Sequence, residues 1–218
     1  MTSNTNTGNT TRALPDLVTQ AQRLVDLGVL GSTAGELPQG EGLLVIHPTL
    51  APASVLAPLL RRGSRNGFVV SDMNDVDAFS PIEQVEVPAS ALYVVAGPDR
   101  GDAMANRSPD EALPAILEGG RSPMTLTEGL HWVLQCPDVL ERNHCFMTIG
   151  SRLPKPDGTL DSRTPALWIS NGTGRDGGAR RDAPKVGWCW AGNRHTWLGF
   201  ASVAGRREAQ SVSAIDIR

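Results

Sequence analysis

The chain has one Tyr and four Phe in 218 residues, so aromatic packing by these two types is scarce. It has no run of 18 apolar residues, which excludes a membrane-spanning helix. Charge is also thin. Charged residues make up 20% and the formal net charge is -3, so no basic field recruits nucleic acid or an anionic membrane. Residues 1 to 17 carry no apolar segment, which argues against a signal peptide. The three Cys are few and odd in number. That count fits reduced thiols in a cytoplasmic protein and argues against a disulfide framework.

Familiar catalytic signatures are missing as well. The sequence has no G-x-G-x-x-G between a strand and a helix, no G-x-x-x-x-G-K-[ST] and no G-x-S-x-G. The glycine-rich stretch Asn171 to Gly178 is not followed by a helical pattern, so it reads as a loop between strands. Zinc has a candidate set in Cys136, Cys145, Cys189 and His195, with His131 and His144 in reserve. Structural zinc sites take ligands in tight pairs. The C-x8-C and C-x5-H gaps here are loose, so no metal and no cofactor is expected.

What is present is concentrated. All five Trp and all three Cys lie between residues 132 and 197, and the densest piece is Gly187-Trp188-Cys189-Trp190-Ala191-Gly192-Asn193-Arg194-His195-Thr196-Trp197. Indoles interleaved with Gly, Cys, Asn, Arg and His suit a pocket wall, and an aromatic core with ordinary turns is the other reading. Strand alternation would place Trp188 and Trp190 on the pocket face, with Cys189 behind them. The expected wall is Trp188, Trp190, Trp197, Asn193, His195 and Arg152. His195 and Asn193 are the catalytic candidates, because imidazole titrates near neutrality. A His bonded to backbone at a turn is the alternative. Cys189 with His195 could form a nucleophile and base, but a thiol between two Trp reads as a packed core group with a raised pKa. Arg175, Arg180 and Arg181, with Lys185, could hold a sulfate, phosphate or carboxylate, or could be a solvated basic loop.

The pattern of elements predicts one α+β domain over residues 14 to 205, loop-rich, with a mixed or antiparallel sheet and helices on one side. Residues 1 to 13 read as a disordered tail and residues 206 to 218 as a loose polar one. Apolar positions from Leu14 to Leu27 recur at helical spacing and stop at Gly28. Residues 31 to 42 read as a loop. Leu43 to Ile46, Phe68 to Val70 and Leu92 to Val95 read as strands, and Val55 to Arg62 as a short helix. Ser108-Pro109-Asp110-Glu111 and Thr125-Leu126-Thr127-Glu128 are capping boxes that open helices, and Pro137 to Asn143 adds a short third. From Cys145 onward four strands are expected: 145–149, 166–169, 186–190 and 197–203.

Residues 99 to 206 resemble an uncharacterised actinobacterial family. The pieces that carry the likeness are Arg100-Gly101-Asp102, Ser108 to Ile116, Gly150-Ser151-Arg152 and Pro165 to Ser170. To these add Pro184-Lys185-Val186-Gly187-Trp188-Cys189-Trp190-Ala191-Gly192-Asn193 with His195 to Gly199. The family implies no reaction. The loop 171 to 183 departs from its pattern. A second likeness, without a shared motif and so without any residue carried over, is to small actinobacterial proteins of antibiotic biosynthesis. Those close an aziridine by displacing sulfate, and work as paired subunits. Elimination and likeness together give the expectation of a cofactor-free small-molecule enzyme, in the narrow case a cyclase that expels an anionic leaving group. The alternatives are a non-catalytic partner subunit in a homo- or hetero-oligomer, and a zinc or thiol protein.

Overall fold

Residue patterning decides the helices locally. The computed structural model describes residues 13–31 and 40–209. Helix α1 spans Leu17–Asp26, and the Asp16 side chain caps it by accepting from the Thr19 N–H at 2.8 Å. It buries Leu17, Gln20, Ala21 and Leu24, and Gly28 follows with φ 72°, the left-handed conformation that suits glycine past a helix end. Helix α2 is Ala53–Leu56, continued by a 3-10 turn over Ala57–Leu59. Where the helix was expected to reach Arg62, Arg61–Arg62 instead pairs with Arg65–Asn66. Helices α3 (Pro109–Glu118) and α4 (Leu126–Gln135) open with complete capping boxes, at Ser108 with Glu111 and at Thr125 with Glu128. Pro137–Val139 is a single 3-10 turn.

Among the described residues eight strands form two sheets. They are β1 (Leu43–Ile46), β2 (Phe68–Val69), β3 (Leu92–Ala96), β4 (Cys145–Met147), β5 (Arg163–Ile169), β6 (Pro184–Trp190), β7 (Leu198–Phe200) and β8 (Gly205–Glu208). The first sheet has the order β1-β3-β8 and is antiparallel, with Leu43 opposite Val95 and Glu208 opposite Tyr93. The second has the order β7-β4-β5-β6-β2. Its inner pairs are antiparallel and its outer pairs, β7 with β4 and β2 with β6, are parallel. Short two-stranded pairings complete the set, among them Ser80–Pro81 against Ser151–Arg152.

The chain is therefore a single mixed α+β domain, as expected, but its layout differs in two ways. Helix α4 lies between the sheets with all ten residues buried. On one side the Ile46 N–H of β1 donates to His131 Nε2 at 3.2 Å and Tyr93 of β3 donates to Glu128 at 3.2 Å. On the other, Trp132 packs against Phe146 of β4 with ring centroids 5.6 Å apart. The second sheet also has an outer core, in which Ala112 and Ile116 of α3 meet Cys145, Met147, Ala166 and Phe200. Helices thus cover both faces of that sheet. Strands this short and apolar on both faces leave no alternation from which sidedness can be read.

The polar tail expected from residue 206 is a second correction. β8 runs to Glu208 and the Arg206 side chain is 5% exposed, its guanidinium held by Glu128, Ser122 and the Pro123 carbonyl. Arg206 is paired inside the fold while Arg207 and Glu208 are exposed, a difference that composition alone disguises. The tails at 1–12 and 210–218, and residues 32–39 of the expected loop, lie outside the described residues.

Candidate functional site

On the outer face of the five-stranded sheet, beside α3, lies a cavity of about 410 Å³. Its apolar wall combines three indoles, Trp168, Trp188 and Trp197, with Met147, Ala166, Ile169 and Leu198. Its polar groups are Asn143, His144, Cys145, Asn171, Cys189 and His195.

Cross-strand pairing explains the wall. Trp168 is opposite Lys185, Ala166 opposite Gly187 and Thr164 opposite Cys189, so these six residues share one face of the β5–β6 ladder. The small pair Ala166 and Gly187 leaves room there. A Cβ on Gly187 would sit 2.5 Å from the Trp168 indole, so the residue at 187 must be Gly for that ring to lie where it does. The Lys185 ammonium sits 4.7 Å from the centre of the Trp168 ring and is itself paired with Asp176 at 2.8 Å. Ser170 donates to the same carboxylate at 2.8 Å. The indole is held from behind by a neutralised charge pair.

This corrects the expected sidedness of β6. Cys189, not the Trp188–Trp190 pair, belongs to the cavity face. Trp188 reaches the wall while packing against the main core and, edge to face, against Trp190 at 4.5 Å. Burial pushes the Cys145 thiol up to about 12, with Cys189 a smaller contributor in the same direction. It raises the Cys189 thiol as well. Both thiols are neutral at physiological pH, as the packed-thiol reading of Cys189 requires. Among the described residues no three His, Cys, Asp or Glu side chains are grouped to hold a metal ion.

Two imidazoles face the cavity. His195 stacks on Trp197, centroids 4.6 Å apart and planes inclined by 20°. The loop that carries both is tied down where it leaves β6 and where it returns. The Asp110 N–H donates to the Ala191 carbonyl at 3.1 Å, the Asn106 N–H donates to the His195 carbonyl at 3.0 Å, and Arg194 pairs with Glu111. His144, which the sequence reading held only as a reserve zinc ligand, sits against a charged cluster. Arg100 donates from Nε to Asp102 at 3.2 Å and from Nη2 to His144 Nδ1 at 3.1 Å. Asp102 and Glu141 lie 3.6 and 3.8 Å from the same Nδ1. A guanidinium can only donate, so Nδ1 is the acceptor and the neutral ring carries its proton on Nε2. The sequence signal for this cluster was Arg100-Gly101-Asp102, one of the pieces that carry the family likeness. Its partner stands 44 positions away, which no local pattern reveals.

Of the other expected site residues, several stand apart from the cavity. Asn193 is exposed, on the turn where its N–H donates to the Trp190 carbonyl at 3.0 Å. Trp190 is 46% exposed, because it follows Cys189 on the opposite face as β6 ends. Arg152 donates to the Asp161 carbonyl at 2.7 Å and lies 3.9 Å from Asp110; burial lowers its pKa. Arg175 and Arg180 border a separate pocket of about 100 Å³ with Asp72, Asp176 and Lys185. There Arg175 pairs with Asp72 at 2.7 Å and Arg180 lies over Phe68 at 4.3 Å. Arg181 is exposed beside Gly172. Within loop 171–183, Arg175 is thus paired with Asp72, Asp176 with Lys185 and Asp182 with Arg142.

A family model for a family of unknown function, DUF5701, matches residues 4–209, and the chain belongs to that family. No curated protein and no solved structure matches it.

Proposed function

We propose that the cavity binds a small organic molecule and moves a proton on it. His195 accepts the proton, and His144 presents its Nε2–H to the atom on which negative charge develops. The observation that carries this reading is the convergence of two imidazoles on one Trp-lined cavity, one of them fixed as a donor by Arg100. The pair needs no cofactor for this step. The neutral thiols argue against a Cys nucleophile. The thiols of Cys145 and Cys189, neither in a disulfide, support a reducing, cytoplasmic setting. Among the described residues no helix is long and apolar enough to cross a membrane.

A cyclisation that expels sulfate is the narrower form of the reading. It requires a cation at the leaving group, and Arg175 and Arg180 border a different pocket, so proton transfer is the part the geometry supports. A second reading, a binding subunit that assists a partner chain, is favoured by Trp190 and Trp197 at 46% and 50% exposure.

One experiment separates them. Wild type, His195→Gln and His144→Gln are incubated in D2O with a panel of small carbonyl and amide compounds, and deuterium uptake or conversion is read by mass spectrometry. The enzyme reading expects turnover of a bound compound by wild type. His195→Gln should then lose at least 100-fold and His144→Gln at least tenfold. A compound that binds wild type and is neither exchanged nor converted leaves the binding subunit as the reading. Turnover unchanged in both variants would remove the imidazoles from the chemistry.

A further inference from the structure

We infer that the cavity's ligand is an uncharged, flat, conjugated ring compound bearing a lactam or amide edge. The inference rests on the cavity being the functional site, and it names the ligand class.

Charge excludes first. No Asp, Glu, Lys or Arg is among the thirteen described residues of the wall. The two thiols that are, Cys145 and Cys189, are held neutral by burial. Two neighbouring charge pairs are already matched: Arg100 to Asp102 at 3.2 Å beside His144, and Lys185 to Asp176 at 2.8 Å beside Trp168. Glu141, 3.8 Å from His144 Nδ1, is half exposed, so water already solvates its carboxylate, with 48% of its side chain accessible. A carboxylate, sulfate or ammonium entering the cavity would give up hydration without meeting a counter-charge.

Shape and hydrogen bonding then select. A volume of about 410 Å³ lies within the range of about 300–1,000 Å³ typical of drug-sized ligands. Trp168 and Trp197 in the wall, with Trp188 reaching it from the core side, favour a planar aromatic body, which gains both apolar burial and ring contact. Asn143 and Asn171 each offer a carboxamide, donor and acceptor side by side, and a lactam edge presents the complementary pair. His144 adds a fixed N–H.

The probes are bicyclic compounds matched in size: 2-quinolone, naphthalene, 2-naphthoate, 2-naphthyl sulfate and 2-naphthylmethylammonium. Affinity is measured by calorimetry on the full chain, with location from the indole N–H and imidazole resonances of the wild-type protein. The expected result is 2-quinolone binding at least tenfold tighter than the other four, with shifts at Trp168, Trp197 and His144. Trp168→Leu should weaken it at least tenfold; the wild-type shifts stand on their own if that variant misfolds. Tighter binding of the naphthoate or naphthyl sulfate with the same shifts overturns the neutral class while leaving the cavity as the site. No shift from any probe at millimolar concentration overturns the flat-ring class. The catalytic reading stands or falls separately, on turnover in the His195 and His144 variants.

Discussion

At the scale of single residues, burial has chosen which chemistry the cavity can offer. Cys145 is the clearest case. A thiol with its pKa near 12 holds on the order of a thousandfold less thiolate at pH 7.5 than an ordinary Cys. Iodoacetamide at that pH should therefore alkylate Cys145 at least a hundredfold more slowly than a free thiol, as peptide mass spectrometry would record. Labelling at the free-thiol rate would return the thiol to the list of nucleophiles. Gly187 is the complementary case, where a missing side chain makes room. Gly187→Ala must push the Trp168 ring off its seat against Lys185. Overpacking of this kind costs about 1–3 kcal/mol. The expected signature is a modest fall in melting temperature together with loss of ligand binding, since the displaced ring moves into the cavity.

At the scale of elements, α4 concentrates the fold's polar risk. Glu128 is 0% exposed, caps its own helix through the Thr125 N–H at 2.8 Å, and takes two donors from Arg206 and one from Tyr93. Removing the guanidinium strands a carboxylate in the interior, which costs about 3–5 kcal/mol. Arg206→Ala should accordingly be among the most destabilising surface-distant substitutions in urea unfolding. Arg206→Ala combined with Glu128→Gln should recover part of the loss, because the amide can be buried without a counter-ion. Local signals of this helix were legible in sequence: Thr125 and Glu128 stand three apart, and a capping box is a local code. So were Ser108 with Glu111 and the glycine after α1. The partners of Glu128 were not, since Tyr93 and Arg206 lie 35 and 78 positions away on strands whose pairing depends on the whole fold. The same limit governed the site. Trp188, Trp197 and His195 were legible as cavity residues because they cluster in the chain. The sidedness of β6 was not, because both of its faces are covered, and His144 became visible only with its distant Arg100.

At the scale of the whole molecule, stability should fall in mild acid. The Ile46 N–H donates to His131 Nε2, so the ring's own proton sits on Nδ1, where it bonds the Thr127 carbonyl at 2.9 Å. Burial, partly offset by that bond, brings the His131 pKa down to about 4. The unfolded imidazole titrates near 6.5, so acid protonates the unfolded chain first. The full contribution is present above about pH 6.5, declines as the pH falls from there to about 4, and totals up to about 3 kcal/mol. Urea midpoints at pH 7 and pH 5 should differ accordingly in wild type and much less in His131→Gln.

The bond between Glu128 and Arg206 also sets a schedule for the chain as it is made. Residue 128 leaves the site of synthesis 78 positions ahead of the one that neutralises it. At about 5–20 residues per second that is an interval of about 4–16 s. Throughout it, α4 has its capping box and its apolar faces but no counter-ion, and the three-stranded sheet lacks β8. The nascent chain can therefore form this helix early but cannot seal it between the sheets until its last described strand has been translated. A ribosome paused short of that strand holds an open molecule.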